Sequence, residues 1–404
     1  MPKKFSRRDF LSVATATTAS GVVSASAAVA LTSDAVTKRA ALEAQTATLN
    51  KTENFFGKYQ NGIELELQTF SNFIAFDIHD DTDKPAMLRW MSVITDDIAK
   101  LSEGKPVLAD AQPQLALGPA RLTATVGFGP SLFQKLKLQS LAPKSFAKLP
   151  GFDIDQLKSE FSDGDVLVQV SCDDPIVLSH ASRAIVRDSM SFASVRYSQQ
   201  GFSNAQGVSA SGTRQRNLMG QVDGTDNPAL GSADFERIVW INEGPEWAVG
   251  GTILVLRRIA MQLNTWDQLG RTDKEQVIGR NLSNGAPLGG KNETDVPNFA
   301  GTGEDGLSVI PPFAHIRRAS PSNPNERFFR RPFNYEVGVA EDGTPDVGLL
   351  WTAYMKNLEQ YIPVQQRLAK FDLLNKWTVP IGSSVFAIAG GVEPGEVIAE
   401  KLFS

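Results

Sequence analysis

One histidine in this chain stands where an imidazole could be held in a fixed orientation. In Pro311-Pro312-Phe313-Ala314-His315-Ile316-Arg317-Arg318-Ala319-Ser320-Pro321, a rigid Pro-Pro lead-in and apolar neighbours suit a neutral, oriented ring. Arg317 and Arg318 would meet anionic groups such as the propionates of a cofactor that takes one axial histidine. The plain alternative for a lone histidine is a satisfied surface or half-buried side chain. A second stretch, Glu326-Arg327-Phe328-Phe329-Arg330-Arg331-Pro332-Phe333-Asn334-Tyr335, threads arginines through aromatics. Strand alternation from Phe329 turns Arg330 to the opposite face, where a desolvated guanidinium needs an anion or oxygen ligand. The alternative there is an edge strand with a solvated basic face. The third stretch, Gly220-Gln221-Val222-Asp223-Gly224-Thr225-Asp226-Asn227-Pro228, sets Asp223 between two glycines that allow close backbone approach to a ligand. Asp-Gly and Asn-Pro are also ordinary turn dipeptides, so this loop alone decides nothing.

The other histidines read as structural. His79 lies among Asp77, Asp80, Asp81 and Asp83, which suits a solvated strand end better than a metal. His180 falls on a helix beside Ala181 and Ile185. The one cysteine, Cys172, excludes internal disulfides and multi-cysteine zinc or iron–sulfur sites. No P-loop, H-E-x-x-H or G-x-S-x-G occurs, which leaves NTPase and hydrolase readings without support. A net charge of −5 argues against nucleic acid as a partner.

These residues need a scaffold, and 404 residues with 42% hydrophobic and 21% charged side chains can build one. Residues 1–31 are expected to be removed: Ser6-Arg7-Arg8-Asp9-Phe10-Leu11 opens an uncharged Ala/Ser/Thr/Val run that ends in small residues. The run is too rich in hydroxyls to be a membrane span, so no stable span is expected after cleavage. Residues 32–61 read as a polar arm. Strands are expected near 73–78, 122–128, 165–172 and 193–197, with helices over 86–101 and 175–192 between them. That is the strand–helix–strand–strand–helix–strand order of a ferredoxin-like unit. After a Gly/Ser/Asn-rich connection at 198–227, strands are expected at 237–241, 252–261, 328–337, 349–355 and 384–389. Helices are expected at 267–279, with Asn264-Thr265 as cap, and at 364–374. The reading is therefore α+β, with an N-terminal unit at 62–215 and a C-terminal unit at 216–404, although no sequence repeat links them.

From Gly62 to Ser404 the chain resembles the dye-decolourising haem peroxidases, a family that includes twin-arginine-exported deferrochelatase/peroxidases. The resemblance rests on Asn217-Leu218-Met219-Gly220-Gln221-Val222-Asp223-Gly224-Thr225, which fits a G-x-x-D-G motif, and on His315-Ile316-Arg317. It also rests on Ile278-Gly279-Arg280, Gly285-Ala286-Pro287-Leu288-Gly289, Phe329-Arg330-Arg331 with Asn334-Tyr335, and Phe371-Asp372-Leu373-Leu374-Asn375, all in the family's order. The twin-arginine pattern at Arg7-Arg8 belongs with it and implies export to the periplasm or beyond. Pro332 departs from the glycine that many relatives carry after the double arginine.

The resemblance implies two ferredoxin-like domains of the dimeric α+β barrel type, with one haem b per chain in the C-terminal domain. It makes His315 the proximal ligand of the haem iron, and Asp223 and Arg330 the distal pair that faces hydrogen peroxide. Gly224, Thr225, Asp226, Ser320, Pro321 and Ser322 match haem-contacting segments, and Arg280 and Arg317 are the residues for the propionates. Asp372 is the expected second acceptor behind His315. The implied activity reduces hydrogen peroxide through a ferryl state and oxidises organic donors such as dyes or phenols. Electrons from bulky donors would pass through Tyr335, Trp351, Tyr354 or Trp377, each of which also suits plain packing. The other readings are haem handling in iron acquisition, by iron release or haem carriage, and a haemless interaction module. The resemblance leaves room for a homo-oligomer.

Overall fold

Alternating apolar residues in the first half form four strands whose two faces bury different partners. The computed structural model describes residues 51–404 apart from 117, 209–213 and 340–342. The expected leader and residues 32–50 of the expected arm lie outside the described residues. The first unit runs β1 (Phe70–Ile78), α1 (Lys84–Ser102), β2 (Thr123–Phe128), β3 (Val166–Cys172), α2 (Pro175–Ser189) and β4 (Ala193–Phe202). Its antiparallel strands lie in the order β2-β3-β1-β4, the ferredoxin-like order. The Asp83 carboxylate accepts the Ala86 N–H, and Asp174 accepts those of Ile176 and Val177, so each helix starts at an aspartate followed by a first-turn proline. One face of the strands, including Ile74, Phe76, Val126, Val168 and Val170, packs on Met87, Trp90, Ile94 and Ile98 of α1 and Ala181 and Ile185 of α2. Each fully buried large apolar side chain there stabilises the unit by roughly 1.5–3 kcal/mol.

The second unit repeats the order without repeating the sequence. A short helix, α3 (Ala233–Val239), leads into β5 (Thr252–Met261). After α4 (Arg271–Ile278) and α5 (His315–Ala319) come β6 (Phe329–Arg330), β7 (Phe333–Val339), β8 (Pro345–Met355), α6 (Ile362–Phe371) and β9 (Thr378–Ile388). The antiparallel order β7-β8-β5-β9 is again ferredoxin-like. Two seams join the units into a closed ring: Phe202 of β4 pairs with Asn334 of β7, and Gly127 and Phe128 of β2 pair with Ile388 and Ala387 of β9. Each seam has a glycine where the strands crowd. A Cβ on Gly201 would sit 2.7 Å from the Cβ of Phe333, and one on Gly127 would sit 2.9 Å from that of Phe386. Inside the ring, Phe73, Leu167, Tyr197, Leu254, Phe333, Tyr335, Tyr354 and Phe386 form one buried cluster.

Several local expectations change. Residues 237–239, expected as strand because of Ile-Val-Trp-Ile, end α3, where the Ser232 hydroxyl accepts the Phe235 N–H and fixes a helical start. The helix expected over 267–279 starts only at Arg271, with Gly270 at its N-cap position, and the expected cap Asn264-Thr265 lies instead within a separate short turn, Leu263–Trp266. The strand expected at 193–197 continues to Phe202. The strand expected over 328–337 breaks at Arg331-Pro332, where Pro332 has no N–H to give to a ladder. Across that break the alternation survives. Phe329, Arg331, Phe333 and Tyr335 are all buried, and the Arg331 guanidinium donates to the Leu65 carbonyl and, at 3.0 Å, to Gln68 Oε1. Burial lowers the Arg331 pKa to about 10. The helix expected over 364–374 stops at Phe371, because Asp372 caps a separate 3-10 turn at Leu373–Lys376.

Candidate active site

Where the first unit crosses from β1 to β2 through the long helix α1, the second crosses from β5 to β6 through α4, α5 and a long irregular segment that carries His315. Loop 214–228 is shaped by its own side chains. Asn217 Oδ1 accepts the N–H groups of Met219 and Gln221 at 3.1 and 3.2 Å, and the Asp223 N–H donates to the Gln215 carbonyl at 3.0 Å. Gly224 then turns the chain at φ +87°. Three residues on, the Asn227 amide clasps the backbone of β6: its Oδ1 accepts the Arg330 N–H at 3.0 Å and its Nδ2 donates to the Arg330 carbonyl at 2.7 Å. This clasp brings Asp223 Oδ1 to 3.2 Å from Arg330 Nη1. The pair lacks hydrogen-bond alignment, so Asp223 Oδ1 is buried with no donor aimed at it.

His315 opens α5, with Ala314 extended before it. Its Nδ1 lies 2.6 Å from Asp372 Oδ2, and the other Asp372 oxygen accepts the Leu374 N–H at 2.9 Å. The Asp372 side chain is 2% exposed and that of His315 30%. Burial opposes the imidazolium, but the charge and hydrogen bond of Asp372 outweigh it, so the His315 pKa is raised. Arg330 opposes that protonation and Asp223 favours it, which sets both within electrostatic reach of the ring. With Nδ1 committed to Asp372, only Nε2 remains free to meet a ligand. Among the described residues no group of three histidine, cysteine or acidic side chains could hold a bare metal ion.

Beside this pair lies a charged wall that joins the expected Thr225, Asp226 and Arg280 to two residues the sequence did not single out, Glu293 and Arg214. Glu293 Oε1 accepts from Thr225 Oγ1 at 2.9 Å and from Arg214 Nη1 at 2.8 Å, and Arg214 Nε also donates to the Gly224 carbonyl. Arg280 Nη1 donates to the carbonyls of Gly285 and Glu293 at 2.8 and 2.9 Å. Burial lowers the Arg280 pKa; Glu293 and Asp226 oppose the shift, while Arg330 and Arg214 add to it. Arg280 thus lies within electrostatic reach of Arg330 and Asp226, and Asp226 is exposed. Arg317 instead gives Nη2 to the carbonyls of Phe299 and Ile310 at 2.7 and 2.5 Å, which ties it to the preceding loop. Ser320 Oγ donates to the Ile316 carbonyl, Pro321 is exposed, and the Ser322 N–H donates to Glu326; none of the three bonds to Asp223, His315 or Arg330.

The remaining singled-out residues pack. His79 Nε2 meets Ser194 Oγ at 3.0 Å, and His180 Nε2 meets Asp110 Oδ1 at 3.2 Å. Tyr335 and Tyr354 are fully buried inside the ring. Trp351 is half-buried between Phe328 and Tyr361, and Trp377 stands edge-on to Trp266 at 5.4 Å. The tell-tale of Asn227, Glu293 and Arg214 in the sequence is weak: an Asn-Pro turn, an isolated acid and an isolated base.

Residues 60–203 match the family model of the N-terminal Dyp-type peroxidase domain, and 214–393 match its C-terminal counterpart. The dye-decolorizing peroxidase of Thermobifida fusca (strain YX) is 36% identical over 358 residues, covering 85% of this chain and 83% of that protein. The deferrochelatase of Escherichia coli (strain K12) is 30% identical over 364 residues, covering 85% of each. Among solved structures, the DyP-type peroxidase from Cellulomonas bogoriensis superposes with a TM-score of 0.85 at 42% identity, covering 88% of this chain and 99% of that one. That from Streptomyces coelicolor gives 0.86 at 36% identity, covering 89% and 99%. The chain belongs to the Dyp-type peroxidases, a family of haem enzymes.

Proposed function

We propose that this chain is an exported haem peroxidase in which Asp223 and Arg330 act on hydrogen peroxide opposite His315, and in which dyes or phenols are the reducing donors. The observation that carries the reading is the pairing of a buried, donor-free Asp223 oxygen beside Arg330 with an imidazole whose Nδ1 is held by Asp372. This donor set fits haem. Haem, when bound at His315 Nε2, supplies the reduction of peroxide and the one-electron oxidation of donors.

The chain's own residues do the rest. Peroxide must lose a proton from one oxygen and gain it on the other before the O–O bond breaks, and the Asp223 carboxylate is placed to carry it between them. The fixed charge of Arg330 stabilises the negative charge that develops on the departing oxygen. Asp372 holds the His315 tautomer and makes the imidazole a stronger electron donor. Of the two expected arginines, we assign an acidic side arm of the porphyrin to Arg280, which lies within electrostatic reach of Arg330. The twin-arginine pattern at Arg7-Arg8 supports export before residues 62–215 and 216–404 work as the two domains of the mature protein.

In the purified holoprotein, Asp223→Asn and Arg330→Leu are expected to keep the Soret band and slow the peroxide step by about 10²–10³-fold. His315→Ala is expected to lose the band. Peroxide kinetics unchanged in both distal variants would remove them from the mechanism. Relatives named deferrochelatases favour a second reading, release of iron from haem, which accumulation of free protoporphyrin under reducing conditions would reveal.

A further inference from the structure

One stretch of the second unit contributes nothing to a core. From Gly289 to Val309 every residue is exposed or half-buried, and Val296 and Leu307 are 89% and 69% exposed. Many of its bonds stay within it. The Asp295 carboxylate accepts the N–H groups of Lys291 and Asn292 at 2.7 and 2.9 Å, the Gly303 N–H donates to the Leu307 carbonyl, and the Val309 N–H donates to the Gly301 carbonyl. A segment so poor in buried apolar contacts opens at little cost, so the few bonds that tie it down decide where it lies. Its ends are fixed near the site. It begins after Arg280, which holds the Gly285 and Glu293 carbonyls, and it runs on toward His315 past Phe299 and Ile310, whose carbonyls Arg317 holds. Between these fixed points one side chain reaches across. Among the described residues, the Glu293 carboxylate is the one group of 289–309 that bonds to the loop bearing Asp223, at Thr225 Oγ1 and Arg214 Nη1.

We propose that residues 289–309 are a strap over one edge of the haem site, that Glu293 is its clasp, and that haem enters and leaves by the opening of this clasp. The clasp joins the two stretches of chain that would stand on either side of the cofactor: loop 214–228, which carries Asp223, and the segment that ends at His315. Its strength suits a gate. The Arg214 and Glu293 side chains are 34% and 24% exposed, so water and salt compete for the pair, and it can part without stranding a buried charge. Arg214 also donates through Nε to the Gly224 carbonyl, so the cation that receives the strap steadies the turn after Asp223. One carboxylate thereby links retention of the cofactor to the shape of the distal loop. This inference rests on the reading of His315 as the iron ligand and adds the route by which the cofactor is exchanged.

The test loads the full chain with haemin, adds excess apomyoglobin as acceptor and follows the Soret band; haemin uptake by the unloaded protein gives the reverse rate. Glu293→Ala and Arg214→Ala should each speed both release and uptake by about tenfold, with the equilibrium affinity changed less than either rate. Glu293→Gln can still accept from Thr225 and should fall between them and the parent. The double alanine variant should exceed either single one by much less than the product of their effects, because both break one pair. About 0.5 M salt should speed exchange in the parent and leave Glu293→Ala unmoved. Trypsin should cut the loaded protein after Lys291 faster in Arg214→Ala, whose strap sequence is unchanged. Faster release with unchanged or slower uptake would mark a damaged site and overturn the gate. Exchange rates and Lys291 cleavage untouched by the substitutions would overturn the strap and leave the peroxidase reading standing. A parent protein that takes up no haemin would remove the reading of His315 itself.

Discussion

Replacing Asp372 with asparagine removes one charge from a side chain that is 2% exposed and 2.6 Å from the imidazole it orients. Asparagine is nearly isosteric, and with its one amide oxygen still accepting the Leu374 N–H the 3-10 turn should survive, but its NH2 then faces the His315 Nδ1–H and cannot accept from it. The loss is then the charge-assisted hydrogen bond to the imidazole, roughly 1.5–3 kcal/mol. At about 1.4 kcal/mol per factor of ten, that is roughly 10–100-fold, in the range seen when an outer-shell partner of a metal ligand is removed. An imidazole drawn less strongly toward its anionic form stabilises ferric less against ferrous iron. The reduction potential of the holoprotein should rise by roughly 60–120 mV, taking about 59 mV per factor of ten for one electron. Potentiometric titration of the Soret band reads the shift directly, and far-UV circular dichroism checks the fold. A potential within a few millivolts of the parent, with haem affinity and the peroxide step unchanged, would refute the coupling of Asp372 to the iron through His315.

Two further outcomes follow from the same contacts. Asn227→Ala breaks both bonds to the Arg330 backbone, so the peroxide step should slow by at least about tenfold and stability should fall by about 1–3 kcal/mol; stopped-flow mixing and denaturant titration measure the two losses. Asp97, buried on α1, has its pKa raised to about 7, by burial first and then by the charge and hydrogen bond of Asp188. Its folded pKa lies above the unfolded value, so its favourable balance holds below about pH 4 and is lost as pH rises through about 7. Asp97→Asn should therefore leave the melting temperature unchanged near pH 4 and raise it at pH 8, and a gain confined to acid would contradict this sign.

The strands were the most legible part of the molecule. The run Thr252–Met261 is a strand at both ends as expected, because the consecutive apolar β-formers Ile253, Leu254, Val255 and Leu256 carry the pattern through Arg257 and Arg258. The helix at Ala233–Val239 was not legible, since its apolar run suits either structure and the Ser232 cap decides the matter locally. In the site, Asp223, Arg330 and His315 stand out from their local patterns with plain alternatives beside them, and Asp372 is named only through the resemblance. Asn227 does not stand out, because its partner lies 103 residues away and its local setting is an ordinary turn. Arg317 looked equivalent to Arg280 in sequence; the fold ties each to nearby carbonyls, Arg317 to those of Phe299 and Ile310 and Arg280 to those of Gly285 and Glu293, and what sets Arg280 apart is that the charge of Arg330 adds to burial in lowering its pKa.

The two glycine-lined seams make one chain do what a pair of identical subunits would otherwise do, and this frees the halves from having to match. In a symmetric pair any opening of the helix layer would be imposed twice, and so would its cost in packing. Here one half keeps α1 and α2 closed over its sheet, while the other replaces its long crossover helix with the segment that bears His315. The asymmetry gives a division of labour: the intact half anchors the ring, and the altered half is free to keep polar and exposed groups where chemistry needs them.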